Sequence, residues 1–299
     1  MSQPTPPVID YENSGYQDKF WDQGQRAYED RVEAIALKRL LPPAGGRRLL
    51  ELGAGAGRNT PRYQNYREIV LVDYSLTQLQ EAQARLGTSP RYRYMAADIY
   101  HLPFGAGSFD AATMIRTLHH MADAPLALQQ VHAVLCGGAD FILEIANKRN
   151  LKSMLRYLLG QQKWSPFTLE PVEFVKLNFD FHPRAVRGWL AALGFDIQRQ
   201  LSVSHFRVGV LKKLVPLQLL VGLDALLQPT GALFQFTPSV FLRARKKQPE
   251  PALTEQLILR CPACGQQPLA DTPPAITCSN CRRVYPVRNG IYDFRLNAN

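Results

Sequence analysis

The sequence predicts an α/β protein: an open mixed sheet clothed by helices, followed by a small metal-stapled module. Three observations lead there. Short apolar runs alternate with segments of helical periodicity from residue 48 to residue 145. The first run, Leu49-Leu50-Glu51-Leu52, feeds directly into Gly53-Ala54-Gly55-Ala56-Gly57, where glycine permits positive φ and close approach of a ligand to the backbone. Two Cys-x-x-Cys pairs, Cys261/Cys264 and Cys278/Cys281, stand near the end with residues 265–277 between them.

Composition sets the bounds. A chain of 299 residues holds one large α/β domain, or one domain with an appendage, and 46% hydrophobic residues is ordinary for a globular protein. The net charge of +10 makes polyanions and acidic surfaces plausible partners without showing that nucleic acid is bound. Its local concentration, Arg243-Ala244-Arg245-Lys246-Lys247, reads as a solvated strand end or linker. The polar, proline-rich start carries no basic and apolar leader pattern. The most apolar later stretch, 211–227, is interrupted by Lys212, Lys213, Pro216 and Asp224 and is too short to span a bilayer; a membrane-surface helix is the alternative. Paired cysteines in so small a segment point to metal in a reducing compartment, and a cytoplasmic location is expected.

Taken in order, residues 1–15 are expected to be loosely packed. Residues 16–41 turn helical, with Val32, Ile35, Ala36, Leu40 and Leu41 on one face and Pro42-Pro43 as the stop. The strand 48–52 and the glycine turn are expected to lead into a helix near Asn59-Thr60-Pro61. That helix would aim its N-terminus at the ligand. The second strand, 68–73, ends in Asp73, an acid placed to hydrogen-bond two ribose hydroxyls or to cap the helix that follows. The third, 91–96, leads to Asp98 and Ile99. The fourth, 111–115, leads to Arg116, His119 and His120. A helix over 125–135 closes on Cys136-Gly137-Gly138, with Cys136 a small turn residue, before the fifth strand, 141–145.

Residues 147–183 exceed a minimal sheet topology. They are expected to form a helical insertion over the carboxyl edge of the sheet, where ligands bind, and are read as an acceptor pocket or a plain helical cap. A helix over 183–193, a strand over 195–203, a helix over 211–227 broken early by Pro216, and a strand over 236–245 complete the domain, 1–247. Residues 248–253 read as a linker and 254–299 as a separate module. There the four cysteines would hold zinc in a closed, structural sulfur site that supplies much of the folding energy.

The turn is not the dinucleotide fingerprint, because the sixth position counted from Gly53 is Arg58 rather than glycine. Glu51 to Gly57, Asp73, Asp98-Ile99 and the stretch Leu102-Pro103-Phe104 through Met121 together resemble the class I S-adenosylmethionine-dependent methyltransferases of the type 11 group. The resemblance implies a Rossmann-like seven-stranded sheet of order 3-2-1-4-5-7-6. It implies S-adenosylmethionine held by Glu51, Gly53, Ala54, Gly55, Gly57, Asp73, Tyr74, Asp98, Ile99 and Arg116, with aromatic residues Tyr16, Phe20, Trp21 and Tyr28 either as a cover or as an aromatic stripe packed on the sheet. His119 and His120 are then either a base or part of the wall. The tail 284–294, with Tyr285-Pro286-Val287 and Gly290-Ile291, resembles the Trm112-like zinc proteins that activate methyltransferases. Ile115-Arg116-Thr117-Leu118 stands where base-amine methyltransferases carry an Asn/Asp-Pro-Pro-aromatic motif. The acceptor expected is therefore a small molecule or lipid. RNA or a translation factor, and a catalytically silent binding protein, are the alternatives.

Overall fold

A computed structural model of the chain describes residues 6–13, 15, 21 and 26–296. Twelve strands and seven α-helices follow in order among the described residues. They are α1 (Ala27–Leu40), β1 (Gly46–Leu52), β2 (Tyr66–Asp73), α2 (Leu76–Leu86), β3 (Tyr92–Ala96), β4 (Phe109–Met114), α3 (Ala124–Val134), β5 (Leu135–Ala146) and α4 (Leu151–Leu158). Then come β6 (Val172–Val175), β7 (Asn178–Asp180), α5 (Pro183–Ala192), β8 (Phe195–Val203), α6 (Gly209–Leu214), α7 (Leu217–Leu227) and β9 (Ser239–Lys246). The module adds β10 (Ala275–Thr277), β11 (Val284–Arg288) and β12 (Ile291–Asp293).

Strands alternate their side chains between two cores. Leu50, Leu52, Val70, Val72 and Met95 face α3 and α5, whereas Leu49, Ile69, Leu71 and Tyr94 face α1, α2 and α7. Strands buried on both faces read as continuous apolar runs, which is why 49–52 and 69–72 stood out. Five strands run parallel in the order β3-β2-β1-β4-β5, and β9 and β8 close that side antiparallel.

The sheet has ten strands rather than the seven expected. The C-terminal module is not a detached ribbon. β12 pairs in parallel with β3, Ile291 opposite Tyr94 and Asp293 opposite Ala96, and β11 and β10 continue outward. An exposed β3 edge would present unpaired backbone groups; β12 satisfies them and carries the ladder on into the module. Leu259, Ile276, Tyr285 and Phe294 join the same core as Leu50 and Met114. Residues 248–255 are fixed as well: the Pro251 carbonyl accepts from Gly137 N at 2.7 Å, and Arg48 Nη2 donates to the Glu255 carbonyl at 3.1 Å.

Three local expectations change. No α-helix follows the glycine turn; Thr60–Arg62 is a single 3-10 turn. Residues 53–65 must fold the turn, bury Tyr63 and return at Tyr66, which leaves no length for a helix. Gly137 and Gly138 lie inside β5 rather than capping α3, and a Cβ on Gly137 would overlap the Pro249 carbonyl. The insertion is one helix, α4, plus the hairpin β6–β7 rather than helical throughout. As expected, Pro216 interrupts the apolar stretch 211–227 early: α6 ends at Leu214 and α7 starts at Leu217.

Candidate active site and metal centre

The carboxyl ends of β1, β2 and β3 converge on a partly open cavity of about 100 Å³. Gly53 and Gly55 form its floor with φ of +63° and +53°. Both positions need glycine, but for different reasons. A Cβ on Gly53 would overlap the Thr117 side chain, whereas one on Gly55 would point toward Gln78 Oε1 at 3.5 Å and occupy ligand space. Gly57, also at positive φ, packs instead against α2, where a Cβ would meet Leu86 at 2.8 Å. Ala54 is buried in the core beneath the turn.

Asp73 lies in the cavity wall at the end of β2. Its carboxylate accepts from Gly55 N at 2.8 Å and Ser75 N at 3.0 Å, so it fixes the turn and the start of α2 together. Burial raises its pKa against those backbone bonds. Tyr74 and Ile99 line the same wall. Gln78 Oε1 is buried there with no hydrogen-bond partner, an acceptor turned toward ligand space.

Two of the carboxylates expected at the ligand sit behind it. Asp98 caps the 3-10 turn that follows β3, accepting from Tyr100 N at 2.9 Å and lying 3.3 Å from His101 Nδ1; its neighbours Ala97 and Ile99 form the wall. Glu51 is buried under the turn and accepts from Thr60 Oγ1 at 2.6 Å. Burial pushes its pKa up to about 7, with the Thr60 bond and the charges of Arg58 and Arg62 opposing.

The far wall follows β4. Arg116 has φ +55°, a conformation a side chain adopts at a cost, in a residue that lines the cavity. Its guanidinium donates to Glu33 Oε1 at 2.7 Å, and Arg58 donates to Glu33 Oε2 at 2.8 Å. Burial works against ionisation of Glu33, yet Arg116 and Arg58 hold its pKa below the ordinary range. Trp21 lies over both cations, 3.6 Å from Arg58 and 5.1 Å from Arg116. His120 lines the cavity between Tyr11 Oη at 3.1 Å and the Leu177 carbonyl at 3.4 Å. Burial lowers its pKa to about 4 and that of His119 well below the ordinary value, so both rings are neutral near pH 7.

The cover differs from the expectation. Tyr16 and Phe20 fall outside the described residues, and Tyr28 is buried against Asp224 rather than at the cavity. Val8, Ile9 and Tyr11, in a stretch expected to be loosely packed, form the roof. Glu12 anchors that strap to the start of α2, accepting from Leu76 N at 2.6 Å and Thr77 N at 3.1 Å. Arg295, just past β12, donates to Glu12 Oε1 and to the Tyr74 carbonyl, both at 3.3 Å. Sequence reasoning missed Glu12, Glu33, Gln78 and Arg295; only Glu33, an acid on the apolar stripe of α1, carried a signal.

The cysteines meet as their spacing requires. All four Sγ atoms lie within 4.8 Å of one another, with Cys261–Cys281 and Cys264–Cys278 each at 3.6 Å. Zinc bound at about 2.3 Å in a tetrahedron sets sulfurs roughly 3.8 Å apart, so the cluster fits the ion. Tyr285 Oη at 3.1 Å from Cys261 Sγ supplies a hydrogen bond beside it.

Residues 50–143 match the family model described as a methyltransferase domain, and residues 257–290 match that of Trm112p-like proteins. The chain carries a methyltransferase domain joined to a Trm112p-like domain. Its methyltransferase domain is 26% identical over 165 residues to a demethylmenaquinone methyltransferase of Clavibacter sepedonicus, covering 55% of this chain and 59% of that protein. It is 27% identical to the 27-O-demethylrifamycin SV methyltransferase of Amycolatopsis mediterranei, covering 42% and 50%. The chain thus spans little more than half the length of these relatives. In fold it is similar to a chain of the complex between the Haloferax volcanii Trm112 methyltransferase activator and a methyltransferase (TM-score 0.55, 15% identity, 76% of this chain and 94% of that one). It is also similar to an S-adenosylmethionine-dependent methyltransferase of Listeria monocytogenes (TM-score 0.54, 17% identity, 74% and 99%).

Proposed function

We propose that this chain transfers a methyl group from S-adenosylmethionine to an apolar small molecule or lipid. The observation that carries the reading is the cavity itself: a glycine floor, the Asp73 carboxylate, the Ile99 side chain and the unpartnered Gln78 oxygen on one wall. Asp73 and Gln78 would accept from hydroxyl or amino groups of a nucleoside, and Ile99 would lie against its base. Asp98 and Glu51 would act from behind, one fixing the loop and the other answering the cationic end of the ligand. S-adenosylmethionine would supply an electrophilic methyl on a positively charged sulfur.

Such a transfer requires alignment and exclusion of water more than acid–base power. Arg116 and Trp21 close one end, and Val8, Ile9 and Tyr11 form the roof. His119 and His120 suit the role of neutral wall residues, since a ring with pKa about 4 is a weak base near pH 7. The relatives named for menaquinone and rifamycin substrates support an acceptor of low polarity. The zinc of the Trm112p-like domain would be structural, and that domain, built into the sheet, would do in one chain what a separate activator does for others. The basic charge and this domain favour a second reading, an RNA or translation-factor substrate; RNA retention that collapses with salt would select it.

Calorimetric titration with S-adenosylhomocysteine tests the site. Asp73→Ala is expected to weaken binding by about tenfold to a hundredfold, as hydrogen bonds to a charged group are lost, with zinc content unchanged. Equal affinity in that variant removes Asp73 from the ligand.

A further inference from the structure

The insertion after β5 and the segment between β8 and β9 expose an apolar surface that the cavity does not use. On α4, Leu151, Leu155 and Leu158 share one stripe and are all exposed, Leu158 at 71%, and no residue of the helix is buried. On α7, Leu219, Leu223 and Leu226 recur at the same spacing; Leu226 is 74% exposed while Leu220 and Asp224 face the core. The 233–236 segment links the two stripes along the chain. The Phe236 carbonyl accepts from Leu151 N at 2.8 Å, Phe234 stacks on Phe236 at 5.8 Å, and Leu233 follows α7 after one 3-10 turn. A soluble monomer rarely leaves so many large apolar side chains in water.

The charges around this surface say what covers it. Residues 147–169 contain no acid; of their bases Lys152, Arg156 and Lys163 are exposed and Lys148 is buried, and the exposed acids Glu170 and Glu173 follow. Lys152 and Arg156 are exposed one turn apart, beside the leucine stripe of α4. In 207–236 Lys213 is exposed; Lys212 pairs with Glu29 at 2.9 Å, Arg207 lies 3.8 Å from the same carboxylate, and the one acid, Asp224, is buried against Tyr28. Apolar stripes rimmed by bases are the composition of helices that lie in the headgroup region of an anionic bilayer. No helix among the described residues is long and apolar enough to cross one.

We propose that α4, α7 and the 233–236 segment dock this protein on the surface of an anionic membrane. The docking face and the cavity share one edge of the sheet. α4 leaves the carboxyl end of β5, and the β6–β7 hairpin of the same insertion places the Leu177 carbonyl against His120 in the cavity wall. Docking therefore brings the acceptor side of the cavity to the lipid. Resting on the methyl-transfer reading, this narrows the acceptor class to apolar molecules dissolved in the bilayer.

Vesicle sedimentation tests the proposal on the full-length zinc-loaded protein. It should pellet with phosphatidylcholine vesicles containing phosphatidylglycerol and far less with phosphatidylcholine alone. The variant Leu155→Glu/Leu158→Glu should stay in solution, as should Leu226→Glu. Each base near an anionic surface contributes a factor of about five, so Lys152→Glu/Arg156→Glu should weaken retention roughly 25-fold or more. S-adenosylhomocysteine affinity is measured on the same samples and should not change, which shows that the variants are folded. Wild-type protein that stays in the supernatant, or variants that pellet like it, would overturn the proposal. So would a solution dimer that the leucine variants dissociate, since a second copy would then own the face. Vesicle binding without S-adenosylhomocysteine binding would leave the docking surface standing and remove the methyl-transfer reading instead.

Discussion

Replacing Glu51 by glutamine should abolish a pH dependence of cofactor binding that the wild-type protein shows. Glu51 is fully buried beneath the glycine turn, and burial pushes its pKa up to about 7 from an ordinary 4.5. A cationic ligand on the other side of that turn favours the carboxylate and draws the pKa down. Binding should then release a proton and tighten as pH rises from about 5 to about 8. A complete return to 4.5 corresponds to roughly 3 kcal/mol, which is the ceiling. A partial return of one pH unit gives about tenfold in affinity, which is the expected size.

The stability of the empty protein carries the same signature with a definite sign. A carboxyl whose pKa is raised by folding stabilises the fold at low pH, and that contribution fades as pH climbs from about 4.5 through about 7. Asp180, raised to about 6 chiefly by burial, acts in the same direction, so the comparison is between wild type and Glu51→Gln rather than along one curve. Titration calorimetry in buffers of different ionisation enthalpy counts the protons released, and thermal melts across the same range give the stability slope. Glutamine keeps the shape and the Thr60 hydrogen bond but cannot ionise. An identical proton count and an identical slope in the variant would refute the placement of the ligand's positive charge near Glu51.

Other outcomes follow from the same geometry. Gly53→Ala should abolish S-adenosylhomocysteine binding, because the new Cβ collides with Thr117; Gly87→Ala, also at positive φ but with open space around it, should cost only about 1 kcal/mol in a denaturant melt. Arg295→Ala removes the link between the tail of β12, Glu12 and the Tyr74 carbonyl, and should weaken cofactor binding by a few-fold without loss of zinc, read by calorimetry and metal analysis. Cys278→Ser, at a buried ligand position, should drop bound zinc from one equivalent to near none and lower the melting temperature, and chelation of the wild type should do the same.

What the sequence disclosed was local. The strands β1 and β2 announce themselves because their buried stretches are apolar on both faces, and the glycine turn because its backbone demands leave few residue choices. The Cys-x-x-Cys pairs are legible because each pair closes on a tight turn. The positions that sequence reading placed differently depend on partners far along the chain. Glu12 reads as one acid in a polar leader, yet it caps α2 some sixty residues later. Arg116 reads as a cofactor contact and lines the cavity, but what holds it there is Glu33, 83 residues earlier, and a backbone angle no sequence prints. Asp98 reads as a ligand acid, and in the structure it also caps the turn it starts. Pro61 suggested a helix start and found only a single turn, because Tyr63 had to be buried within thirteen residues.

The largest departure, three extra strands, shows why the Trm112p-like domain cannot be treated as a passenger. β12 is three residues long and too short to declare itself, yet it pairs with the strand whose end delivers Ala97 and Ile99 to the cavity. The residues just beyond β12 then act on the site from two directions. Phe294 N donates to the Ala96 carbonyl at 2.8 Å and fixes the end of β3, while Arg295 reaches the strap through Glu12 and the end of β2 through Tyr74. Metal would hold the cysteine loops, the loops hold β11 and β12, β12 pairs with β3, and Arg295 just beyond it reaches the end of β2. Loss of zinc should therefore loosen the cofactor roof and the β3 wall before it unfolds the parallel core, so cofactor affinity is expected to fall at lower chelator exposure than the melting transition of the domain.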